Sequence, residues 1–231
     1  MCGRFFQDIL EEDLSDYFQA ELAEVVSEQT KVPRYNIGPG QDILVVRARP
    51  EHAGRSLDAL HWGLIPHFAP DKKGAYRSIN ARAETVDRAP NYRGAFAKRR
   101  CLVVAHGFYE WTQEGKQKLP WAIQREDGQP LALAGIWENW LDPSTGEWLR
   151  TVAIITVDAN AQLQAVHHRM PAIIEPADFA RWLGEDEAPR DQVKALLVPS
   201  AEELRVWRVD PRMNRVEVDE PTVLTPIEKR P

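Results

Sequence analysis

The sequence predicts one α+β domain over residues 1–231, with a largely antiparallel, sheet-like or barrel-like core and a few flanking helices. Three observations carry this reading. Of the 231 residues 43% are hydrophobic, with 8 Trp, 7 Phe and 5 Tyr, which is enough apolar side chain for a sizeable core in one large domain. Short β-like runs separated by turn signals fill the middle of the chain at hairpin spacing. Helical patterning is confined to the two ends, and no internal repeat or low-complexity tract points to a solenoid or propeller.

Taken in order, residues 7–28 read as an amphipathic helix, because Leu10, Leu14, Phe18 and Leu22 recur every fourth position among acids ahead of Pro33. The β-like runs are 43–47, 101–110, 121–125, 131–136, 150–157 and 204–209. Glu114-Gly115, Asp127-Gly128 and 143–146 supply turns between them. Two later helices are expected, over 176–183, where Pro176 suits a first turn, and over 190–197, ahead of Pro199. Strands and helices do not alternate as in a dinucleotide fold, and no glycine-rich phosphate loop is present, so neither a nucleotide cofactor nor any other is expected.

Composition narrows the function classes. The longest apolar runs, Leu102 to Ala105 and Val152 to Ile155, fall far short of the roughly 20 residues that cross a bilayer, so no membrane partner is expected. The start, Cys2, Gly3, Arg4 and two Phe, has no apolar signal region, and two cysteines cannot form a disulfide framework; both suit a cytoplasmic protein. Net charge is −6, which argues against coating nucleic acid by bulk charge. Between Asp71 and Arg100, however, nine basic residues face three acidic ones. This stretch carries +6 and leaves −12 for the remainder. It reads either as a phosphate-binding groove or as a solvated loop paired with the acidic body.

The first residue with chemistry is Cys2. If Met1 is removed, as is usual before a small residue, position 2 bears a thiol and a free amine on adjacent carbons. Their ordinary pKa values, about 8.5 and about 7.7 to 8.0, leave both with reactive forms near neutrality. An aldehyde attacked by the amine gives a Schiff base, and the thiol can then close a five-membered thiazolidine. Glu110 ends a strand-like run between aromatic residues, which should raise its carboxyl pKa and suit it to proton transfer. His167 is the second proton carrier. Each also has a plain structural reading: a small residue at a chain end, an exposed strand end, a hydrogen-bonded histidine. Adjacent His167 and His168 would point apart in a strand, so no metal site is expected.

Seven motifs occur in order: Met1-Cys2-Gly3-Arg4-Phe5; Tyr35-Asn36 with Pro39-Gly40; Trp62-Gly63-Leu64-Ile65-Pro66; Asn80-Ala81-Arg82-Ala83-Glu84-Thr85; Gly107-Phe108-Tyr109-Glu110-Trp111; Ala134-Gly135-Ile136-Trp137; and His167-His168-Arg169-Met170-Pro171. Together they resemble the SOS-response-associated peptidase (SRAP) family, abasic-site-processing proteins that crosslink themselves to DNA. The resemblance runs from Cys2 to about Pro171, with a looser tail. It implies that Cys2 traps the ring-opened aldehyde of an abasic site in single-stranded DNA as a thiazolidine, with strand scission by AP-lyase chemistry as a side activity. It further implies that Asn80 orients Cys2, that Glu110 moves protons, and that His167 assists sugar-ring opening and reversal. Arg4, Arg77, Arg82 and Arg169 would hold phosphates, and Phe68 would stack on a base. A monomer is expected.

The wording departs from the family's commonest in three places. Phe68 replaces a tryptophan, and His106 and His168 each stand where aspartate is common. The rival classes are a thiol autopeptidase or peptidase using Cys2, an N-terminal-nucleophile glutamine amidotransferase, and a non-catalytic single-strand-binding module. Arg4 and the Gly-Phe-Tyr-Glu-Trp motif speak against the amidotransferase. A binding module would keep its function without Cys2.

Overall fold

The structure is a computed structural model that describes residues 2–9, 11–23, 30, 32–49 and 54–227. Its centre is a closed barrel of five strands: β4 (Asp42–Arg49), β5 (Gly54–Trp62), β7 (Arg100–Ala105), β10 (Leu131–Leu141) and β11 (Trp148–Asp158). Antiparallel ladders join β5 to β4, β4 to β7, β7 to β10 and β10 to β11. A short parallel pairing, Thr151 with His61 and Val152 with Trp62, closes the ring. Closure removes free edges among these strands. Around the barrel stand β2 (Ala20–Leu22) beside β5, with β6 (Asn80–Arg82) and β12 (Arg169–Pro171) beside β11.

A second, wholly antiparallel sheet runs β13 (Leu204–Arg208), β9 (Gln117–Arg125), β8 (Gly107–Glu114), β1 (Phe5–Gln7), β3 (Arg34–Ile37). The predicted run 101–110 is therefore two strands in two sheets, with the switch at His106. Gly107 permits it: a Cβ there would run into the Phe6 ring and the Ile123 carbonyl. Beyond β13 the tail folds over this sheet, where Val209, Met213 and Val223 pack on Phe6, Tyr109 and Ala122. The Asn36 amide fastens it by donating to the carbonyls of Met213, Arg215 and Val218 at 2.8–3.0 Å.

The predicted helix over 7–28 is corrected. Helix α1 spans only Glu11–Phe18; Gln19 at φ 51° ends it and β2 follows. The four-residue spacing holds for buried Leu14 and Phe18, whereas Leu22 is exposed. Upstream, Gln7 belongs to β1, where it is buried, pairs with Arg34 and donates to the Val104 carbonyl. Leu10 and residues 24–28 lie outside the described residues. Helix α2 (Arg93–Lys98), β3, β5, β6 and β12 were not anticipated. The helix predicted over 176–183 is a 3-10 turn, Pro176–Asp178, leading into α3 (Phe179–Leu183), and that over 190–197 is α4 (Arg190–Ala195). No described helix is long and apolar enough to cross a membrane.

Candidate active site

Strand order brings the start of the chain to the centre of the second sheet. Because β1 pairs with β8 through Phe5 and Phe108, and the Tyr109 N–H donates to the Arg4 carbonyl at 2.9 Å, the next residue of β8, Glu110, lies alongside the segment that carries Cys2. From the barrel side, β6 pairs with β11 at Asn80 and Ile154, and the Asn80 amide donates to the Cys2 carbonyl at 2.8 Å. Trp62 supports both neighbours. Its ring meets Phe5 at 5.2 Å between centroids, and its indole N–H donates to the Ile79 carbonyl at 3.0 Å.

Both central groups are buried. Cys2 is 0% exposed and Glu110 3%. Burial pushes the Cys2 thiol well above its ordinary pKa, and the neighbouring Glu110 charge pushes it further; the Arg4 backbone N–H offsets only part. The thiol at rest is thus protonated. Burial likewise lifts the Glu110 carboxyl. A protonated thiol near a carboxyl that burial holds high is an arrangement that suits proton transfer. The Asn80 side-chain oxygen is buried without a hydrogen-bond partner among the described residues, an open acceptor beside Cys2.

His167 follows the turn at 160–166, where the Asn160 side chain accepts from the Leu163 N–H. His167 Nδ1 lies 3.0 Å from the Arg169 N–H and 3.1 Å from the Arg169 carbonyl, so the backbone of Arg169 can hold this nitrogen in either tautomer while Nε2 is not part of that contact. Burial holds this imidazole below the ordinary histidine pKa. The His168 ring stacks on it at 4.4 Å.

The predicted DNA contacts divide. Phe68 is 58% exposed and available for stacking. Arg77 and Arg82 are also exposed. Arg169 is corrected: it is buried, and its guanidinium is committed to Glu84 at 2.6 Å, Asp158 at 2.7 Å and the Thr156 carbonyl, because a cation taken from water needs carboxylates around it. Arg4 also turns inward, donating from Nη1 to Asn36 Oδ1 at 2.7 Å and to the Met213 carbonyl at 3.1 Å. Within 71–100, Arg99 pairs with Glu138 and Arg100 donates to the Trp182 and Phe96 carbonyls, while the other seven cations remain exposed. His106 meets the Gly128 carbonyl and Gln124, none of them part of the site. No group of three or more His, Cys, Asp or Glu among the described residues is arranged to hold a metal.

Residues 1–216 match the SOS response associated peptidase (SRAP) family. The chain belongs to that family. Among SRAP relatives, the abasic site processing protein YoqW of Bacillus subtilis is 34% identical over 231 residues, covering 97% of this chain and 99% of its own. The abasic site processing protein HMCES of Gallus gallus is 34% identical and covers 85% of this chain and 67% of its own. YedK of Escherichia coli, also named an abasic site processing protein, is 32% identical across 80% and 81%. A solved protein from Bacteroides thetaiotaomicron shares the fold, with a TM-score of 0.84 over 98% of this chain and all of that one at 24% identity. Sequence reasoning missed three supports of the site: Trp62, the stacked ring of His168, and Tyr92, whose hydroxyl reaches the Asn80 carbonyl at 3.4 Å. Trp62 and His168 stood in quoted motifs but their contacts needed the fold, whereas Tyr92 lay outside every motif.

Proposed function

We propose that this chain processes abasic sites in DNA, trapping the ring-opened sugar aldehyde of single-stranded DNA on Cys2 as a thiazolidine. The observation that carries the reading is Cys2 held at the chain start between the Asn80 amide and the Glu110 carboxyl. Relatives across nearly the whole chain are named abasic site processing proteins, which supports the substrate class.

With Met1 removed, the amine of Cys2 attacks the aldehyde carbon, and the resulting carbinolamine loses water to give an imine. The thiol sulfur then adds to the imine carbon. Its proton passes to Glu110 and from there to the nitrogen, so the closed ring holds both atoms on one carbon with one water released. The raised thiol pKa fits this order, amine first and thiol second. Asn80 fixes the Cys2 carbonyl and turns an open acceptor toward the new amine. His167 exchanges a proton with the sugar-ring oxygen and so favours the open aldehyde. Arg77, Arg82 and Phe68 offer phosphate and base contacts at the surface.

Incubation of the mature protein with a single-stranded oligonucleotide bearing one abasic site tests this. A denaturation-resistant adduct is expected with wild type and none with Cys2→Ala; no wild-type adduct, or an adduct in the variant, overturns the reading.

A further inference from the structure

The imidazoles of His167 and His168 lie with centroids 4.4 Å apart and planes inclined by 29°, with His167 half-buried and His168 exposed. Two histidines adjacent in sequence would face apart in a regular strand. Here the pair precedes β12, and the Arg169 backbone, whose N–H and carbonyl lie 3.0 and 3.1 Å from His167 Nδ1, turns the first ring back beneath the second. Stacking at this distance makes the two protonations compete, since each cation would sit against the other's ring. The His168 ring also acts electrostatically on Glu110 and favours its charged form.

We propose that His168 is a positioning residue for this site. Its ring fixes the plane of His167 and, when protonated, biases both His167 and Glu110 toward their proton-accepting forms. This rests on the abasic-site reading for its consequence, though the coupling itself does not. The charged and titratable groups around the pair are Glu110 on β8, Cys2 and the α-amine it would carry ahead of β1, and Arg169 on β12 with its partners Glu84 and Asp158. Arg169 is paired with those two carboxylates and has a fixed charge that also helps to lower the His167 pKa. His168 is thus the ionisable side chain stacked on one proton carrier and acting electrostatically on the other. A cation at position 168 lowers the pH at which His167 and Glu110 take up protons; a neutral ring removes that effect, and a carboxylate reverses it.

The test compares wild type, His168→Phe, which keeps a ring to stack, and His168→Asp. Two readouts are taken: the His167 ring titration by NMR, and the pH profile of adduct reversal on single-stranded abasic DNA. The His167 midpoint is expected to rise by about half a pH unit in His168→Phe and further in His168→Asp, with the inflection in reversal moving alongside. In wild type, the His167 signal should also respond as His168 titrates, a measurement that needs no variant. Coincident midpoints in all three proteins, or a His167 signal blind to His168, overturns the proposal. A wild type that forms no adduct while its rings remain coupled overturns the abasic-site reading and leaves the coupling standing.

Discussion

Two buried clusters treat the same cost in opposite ways. Inside the barrel, Asp58 accepts from Arg47 at 2.9 Å, Arg49 at 2.8 Å and Ser56 at 2.5 Å, and the Arg47 guanidinium lies over the Trp137 ring at 4.4 Å. Burial alone would raise the Asp58 pKa, but hydrogen bonds from Arg47 and Ser56 and the two arginine charges outweigh it and hold the carboxyl low. At the chain start, burial wins instead: Glu110 and Cys2 are both lifted, and the Asn80 oxygen has no partner among the described residues. A charge that serves structure is matched atom for atom. A group that serves chemistry is left able to gain or lose a proton, at a cost in stability.

That contrast can be broken from either side. The largest effect falls on the reactive cluster: Cys2→Ala should abolish adduct formation while leaving the thermal midpoint nearly unchanged, as read by denaturing gels and calorimetry. Next, Asp58→Ala should strand two arginines and cost about 3–5 kcal/mol in urea unfolding, with adduct formation per folded molecule retained. Glu110→Gln should slow adduct formation on the order of 100-fold in single-turnover assays and destabilise nothing at neutral pH.

The two carboxyls should also respond to pH with opposite sign. Asp58, held low in the fold, contributes stability above its unfolded pKa that is lost as pH falls through the folded value. Glu110, held high, contributes stability below its unfolded pKa that is lost as pH rises through the folded value. Unfolding of Asp58→Asn and Glu110→Gln across acidic pH should therefore show the acid-side loss blunted in the first and the stability lost on rising pH restored in the second. The smallest effect is Arg82→Ala, which should weaken single-strand binding equally on every sequence and reduce the salt slope by about 1.

Much of the barrel was legible, because β4, β7, β10 and β11 carry dense apolar runs and their turns are marked by glycine. β5 was not. Arg55, Ser56, Asp58 and His61 look like surface until the Arg47 pairing is known, and a strand that buries a charge hides its own pattern. The helix predicted over 7–28 was too long because Gln7 and Ala20–Leu22 pair with strands far along the chain, which no local period reports. At the site, Cys2, Glu110 and Asn80 could be named from chemistry and motif order, yet their proximity depends on β1 meeting β8 and on β6 meeting β11. Arg169 shows the converse: its phosphate role came from the resemblance alone, and motif order does not report that Glu84 and Asp158 surround it.

The central claim is that sulfur and nitrogen of one residue close on one carbon, and the intact mass of the adduct measures it most directly. The account predicts the chain without Met1 plus the abasic oligonucleotide less one water, with the added mass mapped to Cys2. An adduct on a chain that still carries Met1, or one mapped to any other residue, would contradict it.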